Sequence, residues 1–210
     1  HNALARRSRR RASAFCTLAI EYCDKDVVTM QRCVFLDRDG VINESPGDGY
    51  VLTVEDFHLT AGIDRVLQTI HNQGWLAVVV TSQRCVGRGL MDLLQLETIH
   101  QTMQDYLKDR CGTCFDAIYA FSGLPGTESW EKPQPGLVEQ AVIDHHIDAR
   151  ASIMIGDQDR DIAMGIAARV GTSIRLKIDD RPETVASDYR CESVTELEAF
   201  LPSLLETLPK

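Results

Sequence analysis

Arg32-Cys33-Val34-Phe35-Leu36-Asp37-Arg38-Asp39-Gly40 is the stretch on which the fold turns. Its first half is a short apolar run of the kind that reads as a buried strand. Its second half breaks that run at once with two carboxylates, two residues apart, and a glycine. The same grammar recurs down the chain. Leu76-Ala77-Val78-Val79-Val80 is rich in β-branched residues and is followed by Thr81-Ser82-Gln83-Arg84. Ser152-Ile153-Met154-Ile155-Gly156 runs into Asp157-Gln158-Asp159-Arg160-Asp161. Ala117–Ala120 and Thr172–Leu176 read as two further strands.

Helical patterns lie between the strands. Ile63, Val66, Leu67 and Ile70 repeat at i, i+3, i+4, i+7, with Gly74 as a stop. Leu93, Leu96, Ile99, Met103 and Tyr106 form a second stripe. Pro135 can open a helix whose apolar side is Leu137, Val138, Ala141 and Val142. Ile162, Ala163, Ile166 and Ala167 predict a further apolar face. Ser193-Val194-Thr195-Glu196 predicts a capping box ahead of Leu197, Phe200, Leu201 and Leu204. Strands alternating with helices imply βαβ units, hence an α/β fold with a mostly parallel sheet and helices on both faces. Residues 40–57 and 121–134 lack regular periodicity, and long loops in compact domains are often functional.

Composition bounds the function. The formal net charge is -9 over 210 residues. Residues 1–29 hold six Lys/Arg against three Asp/Glu, so residues 30–210 hold 16 against 28. Such an acidic body is a poor electrostatic match for nucleic acid. No apolar run approaches the ~20 residues needed to cross a bilayer, so no membrane partner is expected. Seven irregularly spaced cysteines read as free thiols in a reducing, cytoplasmic setting. The run Arg6-Arg7-Ser8-Arg9-Arg10-Arg11 invites a nucleic-acid or transit-peptide reading, but residues 1–29 are read as a basic leader, disordered or non-native, ahead of one domain over 30–210. A monomer is expected.

In an open α/β sheet, ligands bind beyond the carboxyl ends of the strands. Those ends bring Asp37 and Asp39, Thr81, the Lys132 of Glu131-Lys132-Pro133, and Asp157 toward one rim. Two or three carboxylates can hold one Mg²⁺. A carboxylate can accept a phosphoryl group, splitting a hydrolysis into two steps. A second carboxyl nearby can protonate the leaving oxygen and then deprotonate water. A hydroxyl and an ammonium can stabilise the transferring oxygens. Each residue alone has a bland reading: Asp37 and Asp39 as a loop pair, Thr81 as a cap, Lys132 as a surface lysine, Asp157 as a helix cap. Asp24-Lys25-Asp26 and Asp159-Arg160-Asp161 repeat the D-x-D pattern and are read as decoys. The four strand ends together point to phosphoryl transfer.

Val34-Phe35-Leu36-Asp37-Arg38-Asp39-Gly40-Val41-Ile42-Asn43 resembles the first motif of the haloacid dehalogenase-like phosphatases. Thr81, Lys132-Pro133 and Gly156-Asp157 resemble the next three, in order. The Gly49-Tyr50-Val51 loop, T-x-Q followed by Gly87-Arg88-Gly89, and K-P-x-P-G at Lys132–Gly136 resemble the heptose bisphosphate and histidinol-phosphate phosphatase group. The resemblance implies a Rossmann-like core with minimal or no cap, Asp37 as nucleophile and Asp39 as general acid/base. It implies Mg²⁺ held by Asp37, the Asp39 carbonyl and Asp157, with Thr81 and Lys132 on the phosphoryl group. Contacts to a small phosphorylated metabolite would come from Asp48, Gly49, Tyr50, Ser82, Gln83, Arg84 and Arg88, with Glu131 nearby.

Three departures stand out. Phe121, Gly123, Glu128 and Trp130 fall where relatives carry the Cys/His ligands of a zinc loop, so no zinc is expected; Cys111 and Cys114 supply only two thiols. Glu131 stands where the heptose enzymes usually have Arg. Ser82 replaces a usual Asn, and Cys85 a small residue. A heptose bisphosphate is the leading substrate, with Arg84 or Arg88 reading its distal phosphate. Histidinol phosphate and a non-catalytic binding module on the same fold are the alternatives.

Overall fold

The strand beginning at Cys33 is buried at every position (β1, Cys33–Leu36), as an apolar run without alternation requires when helices cover both faces of a parallel sheet. The computed structural model describes residues 29–124, 130–177 and 181–208, so the expected leader lies, apart from Thr29, outside the described residues. After β1 come α1 (Ile63–Asn72), β2 (Leu76–Ser82), the single turn α2 (Arg84–Gly87) and α3 (Leu93–Cys111). Then follow β3 (Ala117–Phe121), α4 (Gly136–His145), β4 (Ile153–Gly156), α5 (Asp159–Ala167) and β5 (Thr172–Leu176). A short β6 (Tyr189–Cys191) and α6 (Val194–Thr207) complete the chain.

All six strands are parallel, in the order β3-β2-β1-β4-β5-β6. Alternate strand residues feed two cores. Val34, Leu36, Val79 and Ile155 pack with Ile63, Leu67, Ile99, Met103 and Leu201, from α1, α3 and α6. Phe35, Val78, Val80 and Met154 pack with Leu137, Val138, Ala141 and Met164, from α4 and α5. The strand order reverses between β1 and β4, and that switch point is where an open α/β sheet leaves a crevice at its carboxyl edge. Leu36 pairs with Ile155, and the Asp37 N–H bonds the Ile155 carbonyl at 3.0 Å. Asp37 and Asp157 therefore emerge side by side.

Several expected details change. In α3, Leu93 and Tyr106 are exposed and Leu107 takes the last buried place, because one residue along a helix turns the side chain by about 100°. In α5, Ile166 and Ala167 face outward, while Asp161, Ile162, Met164 and Gly165 face the sheet. Gly165 is the reason: a Cβ there would lie 2.9 Å from the Cβ of Met154, so the helix sits closest to β4 along a face with no side chain to count. Ser193 accepts from the Glu196 N–H at 3.2 Å, but the Glu196 carboxylate takes the N–H of Glu192 instead, leaving half of the expected capping box. Among the described residues no helix is long and apolar enough to cross a membrane.

Candidate active site

Gly40 adopts φ 91°, a left-handed conformation that favours glycine, so the chain leaving β1 can double back: the N–H of Ile42 reaches the Arg38 carbonyl at 2.8 Å and the Gly40 N–H the Asn43 carbonyl at 2.8 Å. This tight turn keeps Asp37, Arg38 and Asp39 at the strand end, with their side chains sent in different directions. Asp37 Oδ1 meets Lys132 Nζ at 2.7 Å and accepts the Arg38 N–H at 2.8 Å. Asp39 is gripped by the Arg38 guanidinium, through Nε at 3.0 Å and Nη2 at 2.9 and 3.1 Å. Arg38 has no exposed surface, and its Nη1 lies 3.3 Å from His100 Nε2 on α3. Gln83 Nε2 bridges Asp39 Oδ2 and Thr81 Oγ1, each at 2.9 Å. The predicted residues Asp37, Asp39, Thr81, Gln83 and Lys132 thus form one connected group, joined through Arg38 and buried except at Asp39.

Asp161 was a decoy by pattern and is a member by geometry. Its Oδ1 holds Lys132 Nζ at 2.7 Å, and its Oδ2 accepts the Gln158 N–H at 3.0 Å, fastening the first turn of α5. Gly156 makes this possible: a Cβ there would lie 2.2 Å from the Asp161 Cβ. Gln158, not Asp157, is the N-cap of α5, so Asp157 is spared for other work. Four residues after Asp157, the i+4 spacing puts Asp161 one helical turn on and back toward the strand end, which is the signal that could have identified it. Arg38 and His100 carried no comparable signal.

Electrostatics follow from this crowding. Burial raises the Asp37 carboxyl to about 6, and the charge of Asp161 adds to it, against the opposing pull of Lys132. Burial, then Asp161 and Asp37, push Asp157 up to about 8. Burial also works to raise Asp39, but the Arg38 guanidinium and the Gln83 amide outweigh it and hold Asp39 below the usual carboxylate range. Burial acts to lower Lys132, yet Asp161 and Asp37 keep it raised and therefore charged. His100 is driven to about 4, by burial first and by Arg38 second, so its neutral ring can accept from that guanidinium.

Asp37, Asp157 and Asp161 each offer an oxygen within 4.8 Å of the others. Asp161 spends one oxygen on Lys132 and the other on Gln158. Asp157 Oδ1 is buried with no hydrogen-bond partner. Two carboxylates raised by burial and by the charge of Asp161, one of them with an orphaned buried oxygen, fit a divalent cation held by Asp37 and Asp157.

A cleft opens beside this group, lined by Asp39, the 45–50 loop, Ser82, Arg84, Gln158, Arg160 and Arg181. It gathers five of the predicted substrate residues: Asp48, Gly49, Tyr50, Ser82 and Arg84. Gln83 turns inward instead. Arg88 lies outside the lining and donates to the Tyr50 hydroxyl at 2.7 Å. Glu131 is nearly buried and ion-paired with Arg84, Nε to Oε1 2.7 Å, a close contact but not a well-directed hydrogen bond. Arg160 and Arg181 also line the cleft, and no motif in the sequence points to them.

Over most of its length the chain resembles known proteins in sequence and in fold. Residues 129–195 match the HAD-hydrolase-like family model. The chain is 31% identical over 172 residues to the D-glycero-β-D-manno-heptose-1,7-bisphosphate 7-phosphatase of Helicobacter pylori J99, covering 81% of this chain and 97% of that one. The Escherichia coli K12 protein of the same name is 32% identical over 185 residues, covering 84% and 95%. In structure, the chain resembles a D,D-heptose 1,7-bisphosphate phosphatase from B. bronchiseptica complexed with magnesium and phosphate (TM-score 0.71, 23% identity, 83% of this chain and 99% of that one). A HAD-like phosphatase fold from Mesorhizobium loti overlays with TM-score 0.74 at 22% identity, covering 86% and 88%.

Proposed function

We propose that this chain, which belongs to the D-glycero-β-D-manno-heptose 1,7-bisphosphate 7-phosphatase family of haloacid dehalogenase-like hydrolases, removes one phosphate from a heptose bisphosphate through an aspartyl-phosphate on Asp37. It is a phosphatase acting on phosphate monoesters. The observation that carries the mechanism is the Asp37 carboxylate, 4% exposed, held at 2.7 Å by Lys132 at the carboxyl end of β1.

Asp37 attacks phosphorus; its oxygen–phosphorus bond forms as the bond to the sugar oxygen breaks. Asp39 delivers a proton to that oxygen, then takes one from the water that attacks the phosphoryl group and releases Asp37. The Arg38 grip favours the second role, since it keeps Asp39 ionised and aimed; for the first, Asp39 has to take up a proton against that grip before it can deliver one. Thr81 and Lys132 bind the phosphoryl oxygens. Lys132 also holds Asp37 in place before substrate arrives. Asp37 and Asp157, with the Asp39 carbonyl, would hold Mg²⁺, which when bound screens the repulsion between phosphate and carboxylate. No zinc is proposed, since Phe121, Gly123 and Trp130 offer no ligands and Cys111 already donates to the Leu107 carbonyl at 3.1 Å.

The test is phosphate release over a panel of sugar bisphosphates, sugar monophosphates and histidinol phosphate, with and without Mg²⁺. Highest kcat/KM on a heptose 1,7-bisphosphate supports the reading. Preference for histidinol phosphate would replace the substrate and leave the mechanism; no Mg²⁺-dependent release from any ester would remove both.

A further inference from the structure

A sugar bisphosphate presents two dianions, and Lys132 is committed to the one that reacts. Something else must meet the other. Two arginines expected for that task are occupied. Arg84 is ion-paired with Glu131 at 2.7 Å. Arg88 is outside the cleft, donating to Tyr50 with its guanidinium carbon 5.8 Å from the ring centroid.

Arg160 is differently placed. It lies in the first turn of α5, three residues beyond Asp157, and lines the cleft that Asp39 also lines. It also lines a second cleft beyond, shared with Lys177 and Arg175. Among the described residues it makes no hydrogen bond or ion pair, and its Nε is buried with no partner. Burying an unsatisfied guanidinium nitrogen is costly unless a ligand completes it. The Ser82 hydroxyl, on the wall of the same cleft, is likewise buried without a partner. Of the carboxylates lining the two clefts, Asp39 is paired with Arg38, Asp159 with Arg175 at 2.6 Å, and Glu183 with Arg190 at 3.3 Å, while Asp48 and Asp157 line them without an ion pair to Arg160.

We infer that Arg160 reads the second, non-reacting phosphate of the substrate, with the Ser82 hydroxyl as an added donor in the same cleft. This rests on the bisphosphate reading above. A planar fork binds two phosphate oxygens at once, a geometry that an ammonium does not reproduce. The reader would then sit on the helix that carries Asp161, so the reacting and distal phosphates would be gauged against one rigid element. Glu131 need not be outweighed, because it is already spent on Arg84.

The experiment compares kcat/KM for heptose 1,7-bisphosphate and the matching 7-monophosphate in wild type, Arg160→Ala, Arg160→Lys and Arg84→Ala, with inhibition by the retained product, heptose 1-phosphate. Arg160→Ala should lose roughly ten- to a hundredfold on the bisphosphate and under about twofold on the monophosphate, the size of one charge-assisted contact. Ki for heptose 1-phosphate should rise by the same factor. Arg160→Lys should recover only part, and Arg84→Ala, which frees the Glu131 carboxylate, should weaken the preference by less than Arg160→Ala does. If wild type prefers the bisphosphate and Arg160→Ala leaves both the preference and Ki unchanged, Arg160 is not the reader although the substrate stands. If wild type shows no preference, the bisphosphate substrate and its reader fall together.

Discussion

Asp161→Asn is the sharpest probe of the site, because it changes a charge and almost nothing in shape. Lys132 Nζ is shared between Asp161 Oδ1 and Asp37 Oδ1, 2.7 Å from each, and none of the three side chains is more than 4% exposed. An asparagine that turns its oxygen toward Lys132 keeps that acceptor but sets its amide against the Gln158 N–H, now bonded at 3.0 Å. The loss of this capping bond costs about 1 kcal/mol. Relief of repulsion among Asp37, Asp157 and position 161 acts in the opposite direction, so Tm should fall by no more than about 2–4 °C. Activity should suffer far more. Without the second negative charge, Lys132 is held more tightly by Asp37, pairing with the nucleophile instead of reaching phosphoryl oxygens. Withdrawing it then costs one further charge-assisted bond, about 1.5–3 kcal/mol, or roughly ten- to 150-fold in kcat/KM. The assay is steady-state phosphate release, with thermal melts on the same preparations. A variant that melts a few degrees lower yet retains kcat/KM within twofold would refute the reasoning and reduce Asp161 to a helix cap.

Asp37→Asn should drop turnover to background with far-UV circular dichroism unchanged; comparable turnover would sink the covalent route. Asp39→Asn should also be severely impaired, and a burst of bound phosphoryl enzyme in rapid quench would show that water activation is what it lost. EDTA should abolish activity and Mg²⁺ restore it, while elemental analysis of the purified protein finds no stoichiometric zinc; one tightly bound zinc per chain would contradict this and turn attention to Cys111 and Cys114. Asp37 and Asp157, raised to about 6 and about 8 from 3.8, bind protons more tightly folded than unfolded, so metal-free stability should fall as pH climbs from about 4 through 8. Mg²⁺ competes with those protons, so at a concentration near 100 times Kd the Tm gain at pH 8, about 5–11 °C, should shrink markedly at pH 5.5; an equal gain at both would be inconsistent with these two ligands. Gly156→Ala should destabilise by roughly 1–3 kcal/mol through overpacking against Asp161, readable as a lower denaturation midpoint, whereas a neutral result would mean that β4 and α5 can part without penalty.

What could be read directly from the sequence was whatever repeats along the chain or sits at a strand end. Apolar runs at Cys33, Leu76 and Ile153 could only be buried parallel strands once helical patterns stood between them. The rule that such sheets bind at their carboxyl edge then selected Asp37, Thr81, Lys132 and Asp157 together. Hydrophobic periodicity is blind where packing uses the lack of a side chain or the presence of a charge. That is why periodicity points the α5 face toward Ile166 and Ala167 when Gly165 and Asp161 define it. Asp159 and Asp161 share a D-x-D with equal claims on paper. Only the helical turn after Gln158 sends one to Lys132 and leaves the other with Arg175. The same holds for the arginines: charge type is written in the chain, but whether Arg84 meets Glu131, Arg38 closes on Asp39, or Arg160 keeps a buried nitrogen unpaired is decided by contacts between residues far apart in sequence. Those contacts depend on register and on helix azimuth, quantities that no local pattern encodes and that packing against the sheet sets to within a fraction of a turn.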